Sequence, residues 1–254
     1  MDICAVTRMG KAKAANEDRL LVNKNIVADG CLFINDYSTS ENTDTPVLLA
    51  VSDGVGGNNA GEVASSFIIN RLSNLQDDDP TFIELYIKNI NGELIDKSNT
   101  EAGLYKMAAT LSGLFIKNNC ATMFHIGNTR IYTSTSKYLK QITEDHTVVY
   151  QLLKTGRLTQ KEAEAFDRRN EITACLGAND RSLIDRLYVN VIIDFDKTAK
   201  ILMTSDGVHE YVSLDELEEL LDTEINIVEK CMMIIDKALQ NGSTDDISVI
   251  LALR

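Results

Sequence analysis

Two apolar runs of this chain end alike. Val47-Leu48-Leu49-Ala50-Val51 leads into Ser52-Asp53-Gly54, and Ile201-Leu202-Met203-Thr204 leads into Ser205-Asp206-Gly207. Runs this apolar read as buried strands, so each delivers a carboxylate to a sheet end, where an unpartnered charge is costly. Two further acidic stretches, Asn16-Glu17-Asp18 and Ser243-Thr244-Asp245-Asp246, also border strand-like runs. Any fold of this chain must therefore neutralise several carboxylates at strand ends. Oxygen-only donors suit magnesium or manganese rather than zinc. Converged carboxylates raise one another's pKa unless cations compensate, and a pair of divalent ions is the economical compensation. Such a pair holds a bridging hydroxide able to attack phosphorus in line with its leaving group.

Taken singly, each junction is also explained as a turn with Asp as turn former. Two strand–Ser-Asp-Gly junctions in one chain are less easily explained that way. Gly54, Gly56 and Gly57 permit tight turning and close backbone approach, and the Gly54 carbonyl is available to a cation. A nucleotide phosphate loop is a poor match, because GxxxxGK[ST] is absent and the GxGG lacks an acidic partner at the next strand's end.

Around these junctions, strand patterns occupy 3–7, 19–23, 31–35 and 47–52, with 36–46 as a polar surface loop. Helical patterns follow at 62–75 and 81–98, the second announced by Asp79 before Pro80. Strands return at 110–116, 121–126, 130–133 and 138–142. A charged, helix-prone stretch at 148–167 reads as an exposed lobe. Strands at 187–193 and 200–205, helices at 214–221 and 225–239, and a strand at 247–253 complete the chain. Helices grouped in blocks predict an α+β layered domain rather than an alternating α/β fold. With 254 residues, 44% of them hydrophobic, one domain with one large core is expected.

The net charge of −13 argues against nucleic acid and against anionic membranes as partners. No apolar stretch approaches the roughly 18 residues of a membrane span, and no signal-peptide pattern is present. The five cysteines are scattered without CxxC spacing and read as reduced, structural thiols. A cytoplasmic protein is expected.

Six motifs, in order, make the chain similar to a known family: Asn16-Glu17-Asp18, Asp53-Gly54-Val55-Gly56-Gly57, Gly127-Asn128-Thr129-Arg130-Ile131-Tyr132, Thr143-Glu144-Asp145-His146, Ser205-Asp206-Gly207 and Asp245-Asp246-Ile247-Ser248-Val249. The chain resembles the metal-dependent protein phosphatases of the 2C type, in their compact bacterial form. The resemblance implies a β-sandwich of two antiparallel sheets flanked by helix pairs, in α-β-β-α layers. It implies a single catalytic domain over residues 1–254, with a flap at about 147–167 that influences substrate choice. It implies a serine/threonine phosphatase with two Mn2+ or Mg2+ ions. Asp53 then bridges both ions, the Gly54 carbonyl binds one, Asp206 and Asp245 bind the other, and Glu17 and Asp18 act mainly through metal-bound water. The implied partners are phosphoproteins, including those of a cognate kinase, met by a monomer.

Three positions depart from the family pattern. Lys13 stands where the family usually has an Arg that grips the substrate phosphate; it keeps a point charge and loses the bidentate fork, with Arg8 as a substitute to consider. Asn128 replaces an Asp that often binds a third metal in bacterial members, so that third site is expected to be weak or absent. Val55 stands where some relatives place a His proposed as general acid. Of the histidines, His125 is expected in the core, His146 as support at the site's edge, and His209 as an exposed polar residue. Met203, Met232 and Met233 are read as core. The competing reading is a pseudophosphatase, a regulatory module that binds a phosphoprotein with weak or no activity. It is motivated by Lys13 and Asn128 and opposed by the retained Asp53, Asp206 and Asp245.

Overall fold

The computed structural model describes residues 1–254 except 36–45, 56–59, 119, 167, 169–170, 193–194 and 196–197. The chain runs through β1 (Asp2–Arg8), β2 (Asp18–Val22), β3 (Asn25–Val27), β4 (Gly30–Ile34), β5 (Val47–Val55), α1 (Ala60–Leu72) and α2 (Pro80–Thr100). Then come β6 (Ala108–Ala109), β7 (Leu111–Lys117), β8 (Cys120–Ile126), β9 (Arg130–Ser134), β10 (Lys140–Gln141), α3 (Val148–Lys154), α4 (Gln160–Glu164) and β11 (Leu176–Gly177). A 3-10 turn at Arg181–Arg186 precedes β12 (Tyr188–Ile192), β13 (Lys200–Thr204), α5 (Asp206–His209), α6 (Leu214–Leu221), α7 (Ile227–Gln240) and β14 (Ile247–Leu253).

The strands form two antiparallel sheets. One has six strands in the order β10-β9-β13-β14-β1-β4. The other has eight: the path β11-β6-β5-β7-β8-β12, with β2 paired to β5 and β3 to β2. Side-chain alternation along a strand divides the apolar residues among three layers. Ile3 and Ala5 of β1, Leu49 and Val51 of β5, Met203 of β13 and Ile250 of β14 meet between the sheets. The alternate residues of β5, Leu48 and Ala50, pack outward against α1 and α2. Those of β1 and β14, among them Val6, Val249 and Leu251, pack outward against α6 and α7. The layers are therefore α-β-β-α, and both sheets are covered on both faces, which is why their central strands are continuously apolar.

Several details differ from the sequence expectations. β5 does not stop at Ser52 but continues through Asp53 to Val55, because Gly54 and Val55 pair with Ala109 and Ala108 of β6. The short strands β3, β6 and β11 carry too few residues for a period to register. The helix-prone stretch divides into α3 and α4, and Thr159 restarts the helix with a capping box to Glu162. Met203 is buried, but Met232 and Met233 are each 39% exposed, since the helical period of α7 turns Cys231, Ile234 and Ile235 inward instead. The 36–45 part of the expected loop, together with Gly56 and Gly57, lies outside the described residues. Among the described residues, no helix is long and apolar enough to cross a membrane.

Candidate metal centre

Four strand ends bring the acidic stretches together. Asp18 opens β2 and stands directly across from Asp53 of β5 in the antiparallel register. The Gly54 N–H donates to the Glu17 carbonyl at 3.1 Å, fixing the turn before β2 against β5. β13 ends at Thr204, and Ser205 then turns the chain into α5, whose first residue is Asp206. β14 lies beside β13, and Ser205 and Ser248 lock the two strand ends: the Ser205 N–H donates to the Ser248 carbonyl at 3.1 Å, and the Ser248 N–H donates to the Ser205 Oγ at 3.0 Å. Asp245 and Asp246 lie just before β14. The Ala12 N–H donates to the Thr244 carbonyl at 3.3 Å, so the loop between β1 and β2 runs along the turn that carries Asp245.

The electrostatics of this convergence are those of charges crowded out of water. Burial pushes the Asp18 carboxyl up to about 8; the hydroxyls of Ser248 and Ser205 oppose the rise, and the neighbouring Asp246 and Asp206 add to it. Burial also holds Asp53 well above the usual carboxylate range, reinforced by Asp206, Asp18 and Asp245 and opposed by Lys13. Asp206 is raised by burial and by Asp245, against hydrogen bonds from Asn128 and Asp53. Asp18 is 1% exposed, and its Oδ2 has no hydrogen-bond partner. An orphaned, buried carboxylate oxygen beside two other carboxylates calls for positive charge.

Part of that charge is supplied by the chain itself. The Lys13 Nζ lies 2.8 Å from Glu17 Oε2 and 2.9 Å from Asp245 Oδ1. Partial burial disfavours its ammonium, but the hydrogen bonds it donates to these two carboxylates outweigh burial and hold its pKa above normal. The Asn128 Nδ2 donates to Asp206 Oδ2 at 3.0 Å, a neutral hydrogen bond to that carboxylate. Arg8, the candidate substitute for the phosphate-gripping Arg, points elsewhere: it meets Asp236 of α7 at 4.0 Å on the surface.

The donor set fits a hard divalent cation. It is all oxygen, it contains an orphaned carboxylate, and it lies beside a backbone cradle. A Cβ on Gly54 would sit 2.2 Å from the Gly61 carbonyl, and one on Gly61 would sit 2.5 Å from Glu17 Oε1. The strand end, the α1 N-terminus and Glu17 thus approach more closely than any side chain permits. Among the described residues, no three His, Cys, Asp or Glu side chains close on a single point. Magnesium-type sites do not require this, because they use one or two carboxylates and keep several waters.

Two buried charged residues of this region were given no role by the sequence reading. Asp246, 3% exposed, accepts from Gly10 N at 2.8 Å and Glu17 N at 2.7 Å. Arg19 donates to the Asn16 and Asp18 carbonyls at 2.6 and 2.7 Å and to Glu62 Oε1 at 2.8 Å. Its position within the apolar β2 was the available clue, since a lone Arg there must find partners.

The histidines lie beside the carboxylates without joining them. His125 is buried, with Nδ1 2.8 Å from Ser112 Oγ and Nε2 2.8 Å from the Glu144 carbonyl. His146 packs on its ring at 4.9 Å and accepts from the Gly127 N–H at 3.1 Å. His209 is half-buried rather than exposed: α5 turns it back so that its Nδ1 lies 2.9 Å from Thr204 Oγ1. His209 and Asn128 line one wall of a cavity of about 240 Å³, and Val149 and Leu153 of α3 line another. Arg130, bidentate to Asp145 through its Nε and Nη2, lies on the same cavity.

Comparison with known proteins places this architecture. The profile described as protein phosphatase 2C matches residues 31–241. The serine/threonine phosphatase stp of Listeria monocytogenes serotype 4b is 30% identical over 223 residues, covering 84% of this chain and 87% of its own. The crystal structure of the serine/threonine phosphatase Stp1 from Staphylococcus aureus superposes with a TM-score of 0.82 at 28% identity, covering 99% of this chain and 94% of that one. The catalytic domain of PstP, solved in complex with two manganese ions, superposes with a TM-score of 0.74 at 26% identity, covering 100% and 99%. The two antiparallel sheets with their outer helices, and the carboxylates gathered at one set of strand ends, are those of a chain that belongs to the protein phosphatase 2C family.

Proposed function

We propose that this chain hydrolyses phosphoserine and phosphothreonine in proteins, with two Mn2+ or Mg2+ ions as cofactors. The observation that carries the proposal is the convergence at neighbouring strand ends of buried Asp18, directly across from Asp53, with half-buried Asp53 and Asp206, each raised above its normal pKa by desolvation and by neighbouring carboxylates. Manganese in the PstP structure supports the choice of cofactor. In this reading Asp53 would serve both ions, the Gly54 carbonyl would bind one, Asp206 and Asp245 would bind the other, and Glu17 and Asp18 would act mainly through water. When bound, the ions supply a water-derived nucleophile at neutral pH and stabilise charge on the transferring phosphoryl group.

The chain's own residues orient the reaction. Lys13 offers the phosphate a point charge from a loop it shares with Glu17. Asn128 fixes one oxygen of Asp206 and, being neutral, makes a poor third-metal ligand. Val55, apolar and exposed, brings no proton donor. Residues 1–254 act as one catalytic domain, and the flap at 147–167 covers the cavity that adjoins Asn128. The substrates are phosphoproteins, including those of a cognate kinase, met by a monomer in the cytoplasm.

The test is hydrolysis of a phosphopeptide by purified protein with Mn2+, with Mg2+ and with neither, alongside a count of bound ions. Activity only with metal, at two tightly held ions per chain, is the expected result. Metal binding without turnover would favour the regulatory phosphoprotein-binding module instead. Three tightly held ions at low millimolar manganese would overturn the role given to Asn128.

A further inference from the structure

The loop between β1 and β2 carries Lys13 and Glu17, yet among its described residues little apolar surface holds it in place: Met9 is 44% exposed, and Lys11 and Ala12 are exposed. Such a loop needs polar anchors to keep two functional side chains in register. One carboxylate supplies an anchor at each end. The Asp246 Oδ1 accepts from Gly10 N at 2.8 Å and its Oδ2 from Glu17 N at 2.7 Å. The same residue is pressed against the turn that carries Asp206, since a Cβ on Gly207 would lie 1.9 Å from the Asp246 carbonyl. The loop is also pressed against the neighbouring backbone, since a Cβ on Gly10 would lie 2.4 Å from the Thr244 carbonyl.

We infer that Asp246 is a positioning residue that staples the 10–17 loop to the strand ends, setting the placement of Lys13 and Glu17 relative to Asp206 and Asp245. Both oxygens are used, and both donors are backbone amides, so the arrangement needs a carboxylate of this length. Asn would keep one acceptor and turn its NH2 toward the other N–H, donor against donor. Glu would keep the charge but carry the carboxylate one methylene further. An anchor that orients groups around a metal is typically worth 10- to 100-fold in metal affinity.

The experiment compares Asp246→Asn and Asp246→Glu with the unaltered chain by calorimetric titration of Mn2+ into metal-free protein and by kcat and KM on a phosphopeptide. Ile247→Val, a conservative change to the buried neighbour, serves as the purely structural control. The expected result is Mn2+ affinity at least about 10-fold weaker in both Asp246 variants, with KM raised and the control unaffected. Native affinity in both variants, or a loss in Asp246→Asn alone, would overturn the inference, the second because charge rather than placement would then explain it. If neither variant folds, hydrogen exchange of the Gly10 and Glu17 amides in the unaltered protein decides, and exchange at unprotected rates refutes the staple. The inference rests on the phosphatase reading for KM and on its metal site for the Mn2+ titration, but on neither for the amide exchange. If the unaltered protein binds no Mn2+ and hydrolyses no phosphoester, that reading falls, while exchange of the Gly10 and Glu17 amides still judges the staple.

Discussion

Gly54 shows how tightly single residues constrain the centre. Its missing side chain lets β5 touch the first turn of α1, and a methyl group there would meet the Gly61 carbonyl at 2.2 Å. Gly54→Ala should therefore cost about 1–3 kcal/mol as backbone overpacking and depress metal-dependent turnover. A melting curve equal to that of the unaltered protein would contradict it. Asp53 illustrates the opposite economy, in which function is kept at the expense of stability. Asp53→Asn removes one of the crowded charges, so turnover should be abolished while the metal-free protein melts no lower than before. Retained metal-dependent hydrolysis in that variant would sink the proposed mechanism. The prominent carboxylates were legible because each stands beside Gly or at the end of an apolar run. Asp246 was visible in its motif, but its role was hidden because its partners are backbone amides of residues more than 200 positions away, which no local pattern records.

Among the elements, α3 and α4 have the least to hold them. None of the described residues of α3 is buried, and Val149 and Leu153, one helical turn apart, face the cavity shared with Asn128 and His209. A helix with so little packing keeps its place through caps: the Thr147 Oγ1 accepts from Tyr150 N at 3.2 Å, and the Val148 N–H reaches the Glu171 carbonyl at 2.9 Å. If the flap contacts the peptide around the phosphoresidue, Val149→Ala with Leu153→Ala should raise KM for a phosphopeptide several-fold. Turnover of a small aryl phosphate should hardly change. Equal effects on both substrates would place these residues outside peptide recognition. The sequence suggested one helix-prone stretch here; the division into two follows from Gly156 at a positive φ of 68° and the restart at Thr159.

Across the whole molecule, the histidines tie stability to pH. Burial lowers the His146 imidazole to about 3, with His125 and Arg186 adding to the effect; burial lowers His125 and His209 as well. The unfolded chain binds these protons near pH 6.5, whereas the folded chain refuses them. For these three groups the unfolded state holds more protons through that window, so their contribution to stability is fully present above about 6.5 and is lost as pH drops toward 3, whereas the raised carboxylates Asp18, Asp53 and Asp206 contribute with the opposite sign in the metal-free protein. His146→Gln, which keeps an acceptor near the Gly127 N–H, should flatten part of this slope in denaturant titrations at pH 4 to 7. An NMR titration of His146 with a midpoint near 6.5 would refute the account.

An α+β layered domain was written into the chain, because its helices fall in blocks between strand runs; the α-β-β-α order came only with the family resemblance. The family was legible because six motifs fall in order. That Asp53 and Asp206 would be delivered to sheet ends was legible too, because apolar strands that end in Asp-Gly announce themselves locally. What only the tertiary structure decided is how the charges are compensated: Lys13 shared between Glu17 and Asp245, Asn128 donating to Asp206, Arg19 threaded behind Asp18, and Asp246 pinning a distant loop. Compensation depends on distances of about 3 Å between residues far apart in the chain. Local pattern carries hydrophobic period and turn chemistry, whereas such distances exist only once the sheets have paired.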